Sequence, residues 1–117
     1  MRLFRFGPDA GHHIDGHGSD FDLSPLTDPD GTARVACFHL GPGGRVGEHD
    51  AATGQLFCVI AGQGWVSGPD GAHRPITAYE AAHWEAGERH AAGTDSGMTA
   101  IVLEGPAFVP FAAPLDT

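Results

Sequence analysis

Residues 41–64 carry the side chains best suited to chemistry. The stretch begins with a glycine–proline turn, continues through a polar loop with a single histidine, His49, and ends in an apolar run, residues 55–61, followed by more glycines. A short apolar run between glycines predicts a buried strand. Because side chains alternate along a strand, Gln55 shares a face with Phe57. A polar residue leading a buried face predicts that this end of the strand lines a pocket, and a neutral imidazole nearby is a good ligand for transition metals.

The spacing of this stretch resembles the first motif of the cupin superfamily. In that motif a glycine is followed after five residues by His-x-His, after three or four more by Glu, and after six more by Gly. Gly43 and His49 fit this frame, and Gly62 closes it at the right distance. Ala51 stands where the second histidine belongs, and Gln55 stands where the glutamate belongs. The frame therefore supports the fold, while two of the three ligand positions depart from the pattern.

A second stretch, residues 79–94, resembles the second cupin motif, which is Gly, five residues, Pro-x-Gly, two residues, His, three residues, Asn. Residues 85–87 occupy the turn, and His90 falls at the histidine. Tyr79 replaces the leading glycine, and Thr94 replaces the asparagine. Together the two motifs imply an all-β fold, a cupin-type jelly roll or double-stranded β-helix barrel.

The resemblance also implies where the site lies. It places the two motifs on facing strands at one end of the barrel, with His49 and His90 pointing inward. It makes His49, Gln55 and His90 the candidate ligands of one divalent transition metal (Fe, Mn, Ni, Zn or Cu). The other residues expected to line the pocket are Ala51, Phe57, Trp84, Glu85 and Glu88. The same pattern turns His83 outward, away from the site.

Two imidazoles and an amide oxygen are all neutral ligands, so a metal held by them keeps its full charge and has open positions for a substrate carboxylate, enolate or diol. We therefore expect a small metal-dependent enzyme, an isomerase, lyase or oxygenase, acting on a sugar-like or carboxylated molecule. His49, His90, Glu85 and Glu88 are the candidate general acids or bases. The alternative is a non-catalytic binding or sensor protein without a tightly bound metal, whose histidines hydrogen-bond an organic ligand.

Other histidines invite a metal interpretation less strongly. His12, His13 and His17 lie in a loop rich in glycine and aspartate, residues 7–22. Histidine-rich tracts can bind metals, but glycine flanks give no fixed geometry, and structural zinc sites favour cysteine or tighter spacing. We expect no native metal site in this loop. His39, in a predicted strand, is expected to face outward or toward another subunit.

The chain of 117 residues is long enough for one domain. We expect an N-terminal arm and loop over residues 1–31, a barrel core over residues 32–104 and a tail over residues 105–117. Turn-forming residues fill residues 23–31. The predicted strands cover residues 32–40, 55–61, 65–67, 72–77, 78–84, 89–92 and 98–104, and no helical periodicity is present.

A formal net charge of −9 argues against a nucleic-acid partner, because no basic stripe is available to neutralise phosphates. No secretory signal and no apolar run long enough for a membrane span are present, so a cytoplasmic protein without a membrane partner is expected. Cys37 and Cys58 both fall in predicted strands and are interpreted as small buried hydrophobes. A disulfide between them stays open, because sequence alone gives no Cα distance.

The outer face of the central strand predicts a partner. Leu56, Cys58 and Ile60 form an apolar stripe that needs a cover. Residues 1–6 alternate apolar side chains with arginine and could form an edge strand for exchange or pairing. We therefore expect a homodimer that binds a small-molecule ligand, and packing by the chain's own tail is the alternative cover for the stripe.

Overall fold

The computed structural model describes residues 7–26 and 32–106, together with Met1, Arg5 and Asp30. The strands in this part are β1 (His12–Ile14), β2 (Phe21–Pro25), β3 (Arg34–Leu40), β4 (Arg45–Asp50), β5 (Gly54–Ser67), β6 (Arg74–Thr77), β7 (Ala81–Trp84), β8 (Arg89–Gly93) and β9 (Met98–Gly105). Helical structure in the described ranges is limited to two 3-10 turns, Pro8–Ala10 and Gly16–Gly18, so the all-β prediction is confirmed. No helix there is long and apolar enough to cross a bilayer. Most of the predicted edge strand, residues 1–6, and of the tail lies outside the described residues.

Strand β5 belongs to two sheets. Its first half pairs with β9 and β7, in a sheet that continues from β9 through β3 and β2 to β1. Its second half pairs with β6 and β8, and β8 in turn pairs with β4. Every one of these pairings is antiparallel. Because β5 runs through both sheets, it joins them into one curled sheet, which has nine strands in the described part of the chain. The part that contains β1, β2, β3, β9, β7 and the first half of β5 is called the first sheet below.

The hydrophobic core lies between the two halves of this curled sheet. Its buried members are Phe21, Phe38, Leu40, Val46, Phe57, Val59, Ile76, Trp84, Ala92, Met98, Ala100 and Val102. The alternation predicted for β5 is confirmed, because Gln55, Phe57 and Val59 are buried whereas Ile60 is 42% exposed. A polar residue, Gln55, thus stands at the end of a strand face that is otherwise core.

The sequence predicted that the glycine cluster at residues 62–64 ends the strand. This prediction is wrong, because β5 continues through the cluster to Ser67. Gly62 has a φ of 78°, and a Cβ atom there would lie 2.2 Å from the carbonyl oxygen of Gly97. Only glycine accepts both the positive φ and the close approach. The glycine therefore bends the strand from one sheet into the other instead of terminating it.

The predicted strand over residues 78–84 begins only at Ala81. The preceding turn contains Tyr79, whose φ of 73° lies in the left-handed region that L-residues rarely adopt. Tyr79 is also 92% exposed, so its ring gains little packing. This conformation gives a physical reason for the glycine that the cupin pattern has at this position.

The N-terminal segment is more regular than the sequence indicated. Residues 7–22 were expected to form a loop and residues 23–31 a series of turns, but β1 and β2 extend the sheet beyond β3. The buried hydroxyl of Ser24 donates to the carbonyl of Gly7 at 2.7 Å and lies 3.4 Å from His39 Nε2. His39 therefore faces the N-terminal segment. Strands of three and five residues leave little periodicity in a sequence.

The two cysteines are free thiols. Cys37 and Cys58 pair in register with the same residue, Ile101, from opposite sides of β9. Cys37 is fully buried and Cys58 half-buried, and burial raises the pKa of both thiols. One intervening strand keeps them apart, so the disulfide that the sequence left open is not formed.

Candidate functional site

His49 lies on strand β4 and not in a loop. In the pairing of β4 with β8, Val46 is opposite Ala92 and His49 is opposite His90, with a shift of register between the two pairs. Three residues on β4 thus match two on β8, which defines a β-bulge. In a regular strand, Val46 and His49 would point to opposite faces. The extra residue instead turns His49, and after it Ala51, toward the same interior as Val46.

The segment before β2 holds this bulge in place. A Cβ atom on Gly47 would lie 1.6 Å from the carbonyl oxygen of His17, so the two backbones are in direct contact. The Gly47 N–H donates to Ser19 Oγ at 2.9 Å, and Arg45 Nε donates to the Gly18 carbonyl at 2.9 Å. The bulge that orients His49 therefore depends on a segment far earlier in the chain.

Of the three loop histidines, the structure brings one to the site. The ring of His17 stacks on that of His49, with centroids 5.8 Å apart and an angle of 21° between the ring planes. His12 and His13 lie on β1, and a hydrogen bond to Asp22 raises the pKa of His13. Within the described ranges, no group of three or more His, Cys, Asp or Glu side chains is arranged to hold a metal ion. His17 is thus a neighbour of the pair and not a third ligand in this arrangement.

His49 and His90 form a close pair. Their ring centroids are 4.4 Å apart with the planes at 54°. His49 Nδ1 lies 2.7 Å from the Gly47 carbonyl oxygen, and His90 Nδ1 lies 3.2 Å from the Glu88 carbonyl oxygen. A carbonyl oxygen only accepts hydrogen bonds, so in each neutral ring Nδ1 carries the hydrogen and Nε2 keeps its lone pair. A backbone carbonyl on one ring nitrogen is the arrangement that commonly orients a metal-binding histidine.

His90 has an unsatisfied buried nitrogen. The residue is 2% exposed, and its Nε2 atom is buried without a hydrogen-bond partner among the residues that the structure describes. Burial lowers the pKa of His90, the hydrogen bond to the Glu88 carbonyl acts in the opposite direction, and the nearby His49 lowers it further. The ring is therefore neutral near pH 7, with a lone pair that no group in the described part of the chain uses. A buried polar atom left alone costs about 1–3 kcal/mol, which suggests that a ligand completes it.

A row of three polar side chains crosses the first sheet beside the histidines. Glu104 on β9 pairs in register with Arg34 on β3 and with Gln55 on β5, and the core residue Trp84 on β7 continues the row beyond Gln55. Gln55 Nε2 donates to Glu104 Oε1 at 3.0 Å, and Arg34 Nη2 forms an ion pair with Glu104 Oε2. Gln55 is thus anchored to a carboxylate on the neighbouring strand.

Sequence reasoning did not identify Arg34 or Glu104. The signal was present, because strand alternation places Arg34 on the same face as Phe38 and Glu104 on the same face as Val102. Both faces point into the core. A polar or charged residue at the end of the inward-facing side of a strand was therefore the signal, and the same signal had identified Gln55.

The histidines open onto a small cavity of about 130 Å³. Its lining consists of residues 49–53 together with Arg34, Gln55, His90 and Glu104. Two of the candidate pocket residues lie deeper. The Trp84 ring packs 4.5 Å from that of His90, and Phe57 packs edge-on against Trp84 at 6.1 Å. They form the aromatic wall behind His90.

Glu85 and Glu88 are not among the described residues that line this cavity. Glu85 is exposed, and the Glu88 carboxylate accepts a hydrogen bond from the Glu85 N–H at 2.9 Å. Glu88 contributes to the site through its backbone carbonyl, which orients His90. His83 pairs in register with Leu56, on the outer face of the sheet.

The donor set suits a divalent transition metal as far as the histidines are concerned. Two imidazoles in contact, each with Nδ1 on a backbone carbonyl, match the way proteins hold Zn, Fe, Ni or Cu. Gln55 supplies an amide oxygen nearby, because its nitrogen is committed to Glu104. Neither the second histidine nor the glutamate of the cupin pattern is present, so the protein supplies fewer and weaker ligands than that pattern does.

No protein-family model matches this sequence, and no curated protein matches it significantly. Solved structures do match it. A cupin 2 conserved barrel domain protein from Salinispora arenicola superposes with a TM-score of 0.73 at 18% identity, over 92% of this chain and 90% of that one. A predicted oxalate decarboxylase from Thermotoga maritima superposes with a TM-score of 0.73 at 19% identity, over 89% of this chain and 100% of that one.

An RmlC-like cupin from Shewanella frigidimarina gives a TM-score of 0.71 at 20% identity, over 92% of this chain and 93% of that one. Identities this low establish the fold alone. The cupin fold predicted from the two motifs is confirmed.

Proposed function

We propose that this cupin-fold protein is a small metal-dependent enzyme that holds a divalent transition metal at His49 and His90 and acts on a small carboxylated molecule. The observation that carries the proposal is the buried Nε2 of His90, which has no hydrogen-bond partner among the described residues, beside the ring of His49, whose Nδ1 also faces a backbone carbonyl. A neutral ring with a buried lone pair binds a cation without first losing a proton. The reaction classes that suit such a site are isomerisation, elimination and oxygenation.

The residues of the cavity have separable roles in this proposal. His49 and His90 are the metal ligands, and the Gln55 amide oxygen is the candidate third donor. A bound metal supplies Lewis acidity toward a substrate oxygen. Glu104 lines the cavity whereas Glu85 and Glu88 do not, so Glu104 replaces them as the glutamate proposed for the general acid or base, in exchange for its contacts with Gln55 or Arg34.

The proposal is tested by calorimetric titration of Zn²⁺ and Mn²⁺ into chelator-treated protein. We expect one site per chain, with an affinity at least about tenfold weaker in His49→Ala and in His90→Ala. His83→Ala is the matched control, because this histidine lies on the outer face of the sheet, and its affinity should equal that of the wild type. Equal binding by wild type and His90→Ala would refute the assignment.

A specific observation favours a second candidate, a binding or sensor protein without a tightly bound metal. In the described part of the chain, no third His, Cys, Asp or Glu completes the pair. His90 Nε2 would then accept a hydrogen bond from an organic ligand directly. In that case a ligand should raise the melting temperature equally with and without chelator. In a metal-dependent enzyme, the chelator should abolish this rise.

We also propose that the protein is a homodimer and that it acts in the cytoplasm. On the outer face of the first sheet, Leu56 pairs in register with Leu103, and Cys58 with Ile101, all half-buried. A second copy of the chain is the cover that we propose for this apolar stripe. Light scattering at micromolar concentration should give twice the chain mass of 12.1 kDa, and a monomer mass would rule out the dimer.

A further inference from the structure

Two cavities meet at one ion pair. The histidine cavity of about 130 Å³ adjoins an apolar cavity of about 200 Å³, and both have Arg34 and Glu104 in their linings. The apolar cavity is otherwise walled by side chains without charge, chiefly Leu23, Pro25, Ala36, Phe38 and Val102. Neither cavity alone reaches the roughly 300–1,000 Å³ of ordinary small-molecule sites, whereas the two together reach the lower end of that range.

Within the described ranges, the ion pair at this junction leaves N–H groups of Arg34 without an acceptor. Both oxygens of Glu104 are engaged, Oε2 by Arg34 and Oε1 by Gln55. Arg34 gives Glu104 one of the five N–H groups that a guanidinium carries, through Nη2. The Arg34 side chain is also the more accessible of the two, 50% exposed against 25% for Glu104. The junction therefore favours an incoming anion over a cation.

A carboxylate is the anion that fits best. The guanidinium presents parallel N–H groups in a fork that matches the two oxygens of a carboxylate. Arg34 can hold such a group while it keeps Glu104, so no charge at the junction is left without a partner. The chemistry on the two sides of the junction then differs, with two imidazoles in one cavity and hydrocarbon in the other.

We propose that the two cavities form one site for a small carboxylic acid with an apolar substituent. The carboxylate pairs with Arg34, the substituent fills the cavity between Phe38 and Val102, and the rest of the molecule faces His49 and His90. The part assigned to the histidines rests on the proposed function above. The parts assigned to Arg34 and to the apolar cavity do not.

The test compares three probes: phenylacetate, which has both groups, 2-phenylethanol, which lacks the carboxylate, and acetate, which lacks the apolar group. Binding to the full chain is measured by calorimetry, once with saturating Zn²⁺ and once with chelator. We expect phenylacetate to bind at least about tenfold more tightly than either of the others. Arg34→Gln should abolish that preference for phenylacetate over 2-phenylethanol. Arg89→Gln is the matched control, because Arg89 is also an ion-paired arginine, on Glu48 and Asp50, and lines neither cavity.

A second variant tests the apolar cavity. Ala36→Leu fills it and should weaken phenylacetate binding at least about tenfold while acetate binding stays the same. If Ala36→Leu does not fold, as judged by circular dichroism, Arg34→Gln decides alone. The inference is overturned if phenylacetate binds no better than 2-phenylethanol, or if Arg34→Gln keeps the wild-type preference. Carboxylate selectivity that persists with chelator, in a protein that binds no Zn²⁺, would refute the metal-dependent function and leave this inference standing.

Discussion

Replacing Gln55 by glutamate restores the residue of the cupin pattern and, in this protein, places two carboxylates side by side. The Gln55 amide nitrogen now donates to Glu104 at 3.0 Å, and Gln55 is 6% exposed. In Gln55→Glu that donor becomes an acceptor that faces another acceptor. Without a metal we therefore expect the variant to be less stable than the wild type at neutral pH.

The size of the effect follows from two contributions. Loss of a hydrogen bond to a charged group costs about 1.5–3 kcal/mol. Repulsion between charges about 4 Å apart adds up to about 4 kcal/mol at an effective dielectric constant of 20, and solvent at the partly exposed Glu104 and the ion pair with Arg34 reduce this part. The pair can also avoid the repulsion if one carboxyl stays protonated. At pH 7.5 this costs about 4 kcal/mol, because the pH lies roughly three units above the usual pKa of a glutamate, and the repulsion cannot cost more than that.

The charge contribution has a definite pH dependence. The repulsion raises the folded-state pKa of one carboxyl of the pair above its unfolded value of about 4.3. The folded variant therefore binds more protons than the unfolded chain between these two pKa values. Its stability rises as the pH falls through the folded pKa, and the penalty is complete only above it.

Urea unfolding at pH 7.5 and pH 4.5 measures the free energy of unfolding of Gln55→Glu. Gln55→Met is the matched control, because it removes the hydrogen bond without adding charge. At pH 7.5 the glutamate variant should be about 1–3 kcal/mol less stable than the methionine variant, and the gap should close at pH 4.5. Saturating Zn²⁺ should stabilise the glutamate variant more than the wild type. Equal stabilities of the two variants at pH 7.5 would show that Glu104 does not lie beside residue 55.

Three further predictions concern stability, each measured by urea unfolding. Because the pKa of His90 is lowered, the unfolded chain takes up that proton first below about pH 6.5, so the metal-free wild type should lose more stability than His90→Gln between pH 7.5 and 5.5; equal losses would contradict the burial of a neutral ring. Gly47→Ala forces a Cβ atom against the His17 carbonyl and should cost about 1–3 kcal/mol, whereas Gly16→Ala, with open space around its Cβ position, should be close to neutral; similar effects would remove the support for the bulge. Tyr79→Gly relieves a left-handed residue that is 92% exposed and should stabilise by about 0.5–1 kcal/mol; a loss of stability would mean that the Tyr79 ring makes contacts that its exposure does not show.

The sequence by itself determined the class of fold and one face of the central strand. Glycine spacing around Gly43 and Gly62, together with His49 and His90 at matching distances, resembles the two cupin motifs, and this resemblance implied the cupin fold. The alternation of Gln55 and Phe57 predicted which side of β5 is buried. These features are local, because turn chemistry and strand alternation act over a few residues.

Tertiary structure decided what surrounds the histidines. The bulge in β4 changes which residues face inward and is held by the backbone contact of Gly47 with His17, a segment that the sequence suggested was a loop. Arg34 and Glu104 meet Gln55 only because β3, β9 and β5 pair in one register. Register between distant strands is set by the packing of the whole core, and a shift of one residue would send each of these side chains to the opposite face.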